Sequence, residues 1–193
     1  MTAKSAPNTS KNVLILLGSP REDGNSTRLA FALADAACAA GHLVQSIRLA
    51  ALRFSPCDAC DSCRPSAKAP CVLEDDFSPL YPMLRAADVL VLATPLHFFA
   101  WSTPLKKFLD RLTCVSPGCR YDLTGRQVAL IATAAAPEPS VFAGLRQSYR
   151  LLAGYMQWTS LGEVLVPGVE AEGAVDSVPG ALEKAAAIAR KIR

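Results

Sequence analysis

The sequence predicts a three-layer α/β fold, in which a five-stranded parallel sheet carries helices on both faces. Short apolar runs of strand length alternate along the chain with segments whose apolar residues recur at helical spacing. The runs are almost continuously apolar, which is typical of parallel strands buried on both sides. No repeat, low-complexity stretch or linker divides the 193 residues. Residues 12–193 are therefore expected to form one domain, preceded by a disordered tail at residues 1–11.

The predicted strands and helices follow one another in strict alternation. Strands are predicted at residues 13–17, 43–49, 88–95, 127–133 and 158–166. Apolar stripes predict helices at residues 28–40, after Asp75 and Asp76, after Pro104, around residues 142–152 and at residues 182–192. Right-handed crossovers then favour the flavodoxin-like strand order 2-1-3-4-5. In that order a ligand binds beyond the carboxyl ends of strands 1 and 3, here loops 18–27 and 94–103.

Composition excludes several classes of partner and location. The net charge of +3 is small, and scattered basic residues do not predict nucleic-acid binding. No apolar run approaches the 18 or more residues of a membrane span, and residues 1–11 lack the apolar core of a secretory signal. Seven cysteines without such a signal favour a reducing compartment, the cytoplasm, and thiols used as ligands or catalysts.

The stretch VLILLGSPREDGNST, Val13–Thr27, predicts an anion site where the first strand meets the first helix. A helix N-terminus favours negative charge, and Gly24 permits close approach of the backbone. The loop matches neither the triphosphate loop, whose lysine is absent, nor the dinucleotide fingerprint. An ordinary strand–helix loop with an Asn or Ser cap is the alternative. The candidate donors are Ser19, Arg21, Asn25, Ser26 and Thr27.

Four cysteines with compact spacing, Cys57, Cys60, Cys63 and Cys71, lie in a Cys-rich insertion at residues 54–72. Spacing of three residues lets a short loop wrap thiolates around one polynuclear centre. Zinc sites more often place the second ligand pair beyond a longer loop. An iron–sulfur cluster, thiols without metal and zinc all remain open. A metal of either kind requires the four sulfurs to converge on one point.

Three stretches of the chain resemble the flavodoxin-like NAD(P)H-dependent FMN reductase family. The first loop resembles that family's FMN phosphate loop, G-S-x-R-x-x-G-N-S/T. Thr94–Arg111 resembles the family stretch that embraces the flavin and ends in L-K-x-F-x-D-R. The cysteine spacing resembles the iron–sulfur flavoprotein branch, in which a 4Fe–4S cluster serves the FMN. The resemblance covers roughly residues 12–167.

The resemblance implies a set of site residues. The FMN phosphate would be held by Ser19, Arg21, Gly24, Asn25, Ser26 and Thr27. The isoalloxazine would contact Pro95, Leu96, His97 and Phe98, with Phe99 and Trp101 nearby and Thr133 approaching from the third loop. A 4Fe–4S cluster would be held by Cys57, Cys60, Cys63 and Cys71.

Other polar and thiol side chains are interpreted as having no role at this site. Lys106, Asp110 and Arg111 are expected on the solvated face of an amphipathic helix. Cys114 and Cys119 flank a Ser-Pro-Gly turn and are interpreted as incidental. No side chain is assigned as a catalytic acid or base.

The expected function is that of an FMN-dependent oxidoreductase, assembled as a homodimer or homotetramer. It would move electrons from NAD(P)H to a small acceptor such as a quinone, a flavin or a nitro compound. The first alternative is an iron–sulfur flavoprotein that relays electrons between a ferredoxin-like donor and FMN. The second is a thiol or zinc redox sensor without flavin.

Overall fold

The computed structural model describes residues 10–63 and 69–193, and its sheet is parallel throughout. The strand order is β2-β1-β3-β4-β5. This confirms the predicted fold and strand order. Both limits of every strand lie within one residue of the predicted limits. Most of the predicted tail and residues 64–68 of the Cys-rich insertion lie outside the described residues. The strands are β1 (Asn12–Leu17), β2 (Leu43–Arg48), β3 (Val89–Pro95), β4 (Gln127–Thr133) and β5 (Thr159–Val166).

Five α-helices cover the two faces of this sheet, α1 and α5 on one face and α2, α3 and α4 on the other. Their bounds are α1 (Asn25–Ala39), α2 (Leu80–Ala86), α3 (Thr103–Arg111), α4 (Ala143–Tyr155) and α5 (Ala181–Ala189). In the described part of the chain, no helix combines the length and apolar character that a membrane crossing requires. Turns occupy residues 76–79, so α2 begins later than the predicted helix start at Asp75.

Strand β1 shows why the apolar runs are continuous. Leu14 and Leu16 point into the core beneath α2, α3 and α4, whereas Ile15 and Leu17 point into the core beneath α1 and α5. Successive side chains of a strand alternate between faces, so a strand covered on both sides needs apolar residues at every position.

Gly18 joins the ends of the two central strands. Its N–H donates to Ala93 O at 2.8 Å, and Ser102 Oγ donates to its carbonyl at 2.8 Å. A Cβ at this position would lie 2.7 Å from Ser102 Oγ and 2.8 Å from Leu105 Cβ, too close for any side chain. The chain therefore needs glycine here, and the loops after β1 and β3 leave the sheet side by side.

Candidate functional site

A pocket of about 310 Å³ lies at the carboxyl edge of the sheet, where the loops after β1, β3 and β4 meet. The volume is at the lower end of the range for small-molecule sites. All the predicted cofactor-binding residues except Thr27 and Phe98 line it. The lining consists of Ser19, Pro20, Arg21, Gly24, Asn25, Ser26, Pro95, Leu96, His97, Thr133, Ala134, Ala135, Val169 and Glu170.

The β1 loop presents the N-terminus of α1 to this pocket. Helix α1 is capped by Gly24, which has no side chain to bond the first-turn N–H groups. A Cβ at Gly24 would lie 2.5 Å from Ser19 Oγ, so a larger residue would force that hydroxyl to turn away. Ser19 Oγ accepts from the Arg21 N–H at 3.1 Å, which leaves its own hydrogen to donate elsewhere. The first-turn amides and hydroxyls thus form a polar wall suited to an anion.

Asn25 has a different role from the predicted one. Its amide nitrogen donates to Ala171 O at 2.8 Å and to Val169 O at 3.4 Å, and its Oδ1 accepts from Val175 N–H at 3.1 Å. Both amide hydrogens are therefore engaged by backbone carbonyls, and the side chain is 7% exposed. The expectation that this amide donates to a phosphate is corrected: Asn25 fastens the loop after β5 to the N-terminus of α1.

The loop after β5, residues 167–176, forms a fourth wall that the sequence reasoning missed. Arg21 Nη1 donates to Glu170 O at 3.1 Å, and the Asp23 N–H donates to Glu172 Oε1 at 3.2 Å. Arg28 closes the junction with an ion pair to Asp176 at 2.6 Å. We call these contacts, together with those of Asn25, the β5-loop clasp. The partners lie about 150 residues apart in the chain, so no local sequence motif indicates these contacts.

The loop after β3 makes a tight turn at the pocket mouth. His97 and Ala100 exchange backbone hydrogen bonds at 3.2 and 3.0 Å. The two central residues, Phe98 and Phe99, have φ values of 47° and 64°, a region that bulky residues rarely adopt. Backbone strain of this kind is concentrated at ligand sites and switch regions.

The aromatic residues of this loop do not form the predicted wall. Phe98 is 98% exposed and does not line the pocket, because the turn directs it to solvent. Trp101 is 7% exposed and donates from Nε1 to Ser148 Oγ on α4 at 2.8 Å, so it belongs to the core. Thr27 is buried in the first turn of α1 and also lies outside the lining. The remaining wall is apolar but not aromatic.

The pocket is therefore polar at one end and apolar at the other. The polar end holds Arg21, Ser19 and Ser26 beside the α1 N-terminus. The apolar end is built from Pro95, Leu96, Ala134, Ala135 and Val169, and the Leu96 N–H donates to Thr133 O at 2.7 Å to join the β3 and β4 loops. Such an arrangement fits a molecule with an anionic group on one side and a flat apolar group on the other, as FMN has.

A larger groove of about 820 Å³ runs along β5 and α5. It lies on the flank of the sheet rather than at its carboxyl edge, and the loops after β1 and β3 contribute nothing to it. Ligands of doubly wound folds bind at the carboxyl edge, at the switch point between the central strands. The smaller pocket is therefore the candidate site.

The four predicted metal ligands line a second, much smaller cavity. Cys57, Cys60, Cys63 and Cys71 face a volume of about 20 Å³, and Cys114 lines it as well. All five thiols are free. Cys114 was interpreted as incidental, and its place beside the four predicted ligands was not expected.

The described cysteines do not have a metal-binding arrangement in this structure. Among residues 10–63 and 69–193, no three His, Cys, Asp or Glu side chains are placed to hold a metal ion. The expected convergence of the four sulfurs on one point is therefore not found. The cavity has room for about one water molecule. The thiol donors suit an iron–sulfur centre chemically, but the cavity as it stands does not accommodate four irons and four sulfides.

Arg111 lies behind this cavity and is only 1% exposed. It was predicted on the solvated face of α3, together with Lys106 and Asp110, which do form a surface ion pair. The prediction was wrong for Arg111 because the ends of the Cys-rich segment fold over the last turn of α3. Its guanidinium bonds Ser55 O at 3.0 Å and Asp75 Oδ2 at 2.7 Å through Nη1, and Tyr81 Oη at 3.3 Å through Nη2.

This buried arginine sets the electrostatics around it. Burial alone would raise the pKa of Asp75, but the Arg111 guanidinium and the N–H groups of Ser55 and Phe77 outweigh burial and hold it below its usual value. Burial raises the pKa of the Cys114 thiol to about 11. The neighbourhood therefore combines a fixed ion pair with a thiol that stays protonated at neutral pH.

Known proteins resemble this chain in sequence and in fold. An iron–sulfur flavoprotein of Archaeoglobus fulgidus is 28% identical over 182 residues, covering 92% of this chain and 76% of that protein. Another, from Methanocaldococcus jannaschii, is 32% identical over 99 residues, covering 51% of this chain and 50% of that protein. The NAD(P)H:quinone oxidoreductase from Methanothermobacter marburgensis shares the fold, with a TM-score of 0.75, 17% identity and coverage of 96% and 97%.

The family model described as NADPH-dependent FMN reductase matches residues 11–170. These residues contain the loops after β1, β3 and β4 that build the pocket, as well as the Cys-rich segment. The chain therefore belongs to the NADPH-dependent FMN reductase family, which confirms the predicted family and the predicted enzyme class, an NAD(P)H-dependent oxidoreductase.

Proposed function

We propose that this protein binds FMN in the pocket at the carboxyl edge and passes electrons from NAD(P)H to a small acceptor, such as a quinone, a flavin or a nitro compound. The observation that carries this proposal is that one pocket combines the Arg21 guanidinium and the Ser19 and Ser26 hydroxyls with a set of apolar side chains from the loops after β3, β4 and β5. When bound, FMN supplies the hydride- and electron-transfer chemistry, so the chain needs no catalytic acid or base.

The polar end would hold the phosphate. Ser19, in the loop after β1, and Ser26, in the first turn of α1, are 4% and 1% exposed, and the helix dipole at this end of α1 also favours an anion. Arg21 uses one guanidinium hydrogen on Glu170 O, and its other donors remain for the phosphate oxygens. Gly24 lets Ser19 approach the helix N-terminus closely enough for both to reach one phosphate.

The apolar end would hold the flavin ring. Pro95 and Leu96 are partly buried at the end of β3, and Ala134 and Ala135 face them from the β4 loop. His97 stands at the mouth, where solvent and substrates enter. The β5-loop clasp fixes the fourth wall, so Val169 presents an apolar surface without having to be ordered by the ligand.

The same proposal gives the protein a cytoplasmic location and a homo-oligomeric assembly. Thiol-rich composition favours the cytoplasm, where cysteines stay reduced. A homodimer or homotetramer is proposed from the resemblance to the family. A partner subunit could cover the exposed side chains of Phe98 and Phe99, which lie beside the pocket mouth.

Replacing Arg21 with alanine should weaken FMN binding by about 1.5–3 kcal/mol, the value of a hydrogen bond to a charged group. The measurement is a titration of apoprotein followed by quenching of flavin fluorescence. Arg48→Ala is the control, because Arg48 pairs with Glu22 in the same loop but does not line the pocket. Equal FMN affinity of Arg21→Ala and the control would show that the β1 loop does not bind the phosphate.

A second candidate function is electron relay between a ferredoxin-like donor and FMN through an iron–sulfur cluster. It is supported by five thiols around one cavity beside a buried arginine, and by relatives named as iron–sulfur flavoproteins. Cys57, Cys60, Cys63 and Cys71 would be the ligands of such a cluster. Stoichiometric iron and sulfide in anaerobically purified protein would favour this candidate. Flavin-free protein that binds only zinc would favour the redox sensor instead.

A further inference from the structure

We propose that His97 is a catalytic acid, whose imidazole gives a proton to an oxygen atom of a quinone-type acceptor while that acceptor is reduced. This inference rests on the proposed function and deepens it. Hydride and electron transfer need no acid from the chain, but an oxygen that becomes a hydroxyl group does. The inference therefore narrows the acceptors to molecules whose reduction consumes protons.

The proton balance of the reaction requires such a donor. Reduction of a quinone to a hydroquinone adds two electrons and two protons. A hydride from NAD(P)H brings both electrons and one proton, so the second proton must come from another source. In the proposed step an N–H bond of the His97 imidazolium breaks and an O–H bond forms on the acceptor. The neutral imidazole then regains its proton from water at the pocket mouth.

The composition of the pocket favours His97 over the other side chains. Among the described residues, the lining contains three side chains that carry or exchange a proton as charged groups, Arg21, His97 and Glu170. Arginine does not release its proton in proteins. Histidine is the one side chain that ordinarily both gains and loses a proton between about pH 5 and 8. His97 can therefore donate a proton and be recharged under the same conditions.

The backbone of the β3 loop holds His97 in place and leaves its imidazole free. The Leu96 N–H donates to Thr133 O at 2.7 Å on one side, and His97 exchanges two backbone hydrogen bonds with Ala100 on the other. In the part of the chain that the structure describes, His97 makes hydrogen bonds only through its backbone. The exposed imidazole can thus meet a substrate, and its replacement should leave the turn intact.

The second histidine of the chain provides a matched control. His42 directly precedes β2, so it lies at the amino edge of the sheet, opposite the pocket. Its Nδ1 accepts from the Lys11 N–H at 3.3 Å, so this imidazole is already engaged. Replacement of His42 removes an imidazole without touching the candidate site.

The test compares two acceptors that differ in their need for protons. Wild type, His97→Gln, His97→Ala and His42→Gln are purified with FMN, and kcat/KM is measured for duroquinone and for ferricyanide. Duroquinone has a fully methylated ring, so it does not add to the seven cysteines. Ferricyanide takes one electron and no proton. Glutamine keeps an N–H donor at position 97 but cannot release the proton, which separates proton transfer from simple hydrogen bonding.

We expect kcat/KM for duroquinone to fall about 100-fold in His97→Gln, the lower end of the range for a general acid, because water at the mouth replaces part of the function. The value for ferricyanide should not change. Imidazole added to the solution should restore part of the duroquinone rate in His97→Ala. His42→Gln should match wild type with both acceptors, and FMN content should be the same in all four proteins.

A second measurement is independent of turnover. The chain has two histidines, so the two imidazole signals in a nuclear magnetic resonance spectrum are assigned by their loss in His97→Gln and His42→Gln. Durohydroquinone, the product, is added to the oxidised holoprotein. The His97 signal should shift on binding, and the His42 signal should stay where it is.

Several results would overturn the inference. Equal kcat/KM for duroquinone in wild type and His97→Gln rules out proton transfer from His97, and a loss of equal size with both acceptors indicates a merely structural role. An unshifted His97 signal at saturating durohydroquinone rules out contact. Each of these results leaves the proposed function intact. Wild type that binds FMN but reduces neither acceptor with NAD(P)H removes the proposed function and this inference together.

Discussion

Replacing Asn25 with alanine should lower the free energy of unfolding by about 3 kcal/mol. The change leaves the carbonyls of Val169 and Ala171 and the N–H of Val175 without their partner at a buried junction. Each unsatisfied buried group costs about 1–3 kcal/mol, and some of them will recover water when the loop relaxes. The measurement is urea unfolding of the FMN-free protein, which separates stability from ligand binding.

A neighbouring residue gives the control for Asn25. Asp23 joins the β5-loop clasp through its backbone N–H, so Asp23→Ala removes only an exposed carboxylate. That variant should stay within about 0.5 kcal/mol of wild type, as surface substitutions usually do. A loss of less than about 1 kcal/mol in Asn25→Ala would show that the clasp is dispensable for folding.

Replacing Asp75 with alanine should have an equally large effect, about 3 kcal/mol. The variant leaves the Arg111 charge buried without its carboxylate and removes the acceptor of the Ser55 and Phe77 N–H groups. Breaking a buried pair from one side costs about 3–5 kcal/mol. The lower end applies because the Asp75 side chain is 18% exposed. Glu74→Ala, an exposed neighbour, serves as the control and should unfold like wild type.

The same carboxylate predicts a dependence on acid. The pKa of Asp75 is lowered in the folded protein, so protonation favours the unfolded chain. The stabilisation of the fold by the ionised Asp75 carboxylate is fully present above the unfolded-state pKa of about 3.9, and it is lost as pH falls through the lower folded-state pKa. Wild type should therefore lose its advantage over Asp75→Ala below about pH 4. An advantage that persisted at low pH would mean that packing, not charge, carries the effect.

The sheet could be predicted from the sequence because strands buried on both faces must be apolar at every position. The run from Val89 to Ala93 shows this, since all five side chains are at most 1% exposed. Once the strand order followed, the loops after β1, β3 and β4 had to meet at one edge. The pocket therefore includes Thr133 and His97 from the predicted segments, whereas Val169 and Glu170 come from the loop after β5, which was not predicted.

Two of the remaining features depend on contacts between distant segments, and the third depends on an unusual local turn. Asn25 has donors that suit a phosphate, but the loop after β5 engages both of them. Arg111 comes directly after the surface ion pair of Lys106 and Asp110 on α3. It is buried because residues at the two ends of the Cys-rich segment fold over it. Phe98 looked suited to a flavin wall, yet a turn with positive φ directs it to solvent. Local pattern and spacing contain none of this information.

The central claim is that the β1 loop recognises the phosphate of FMN. It is tested most directly by titrating the apoprotein with FMN and with riboflavin, which has the same ring and no phosphate. Two hydrogen bonds to a charged phosphate are worth about 3 kcal/mol or more, so FMN should bind at least about 100-fold more tightly than riboflavin. Equal affinity for the two, or no binding of FMN at all, would contradict the account.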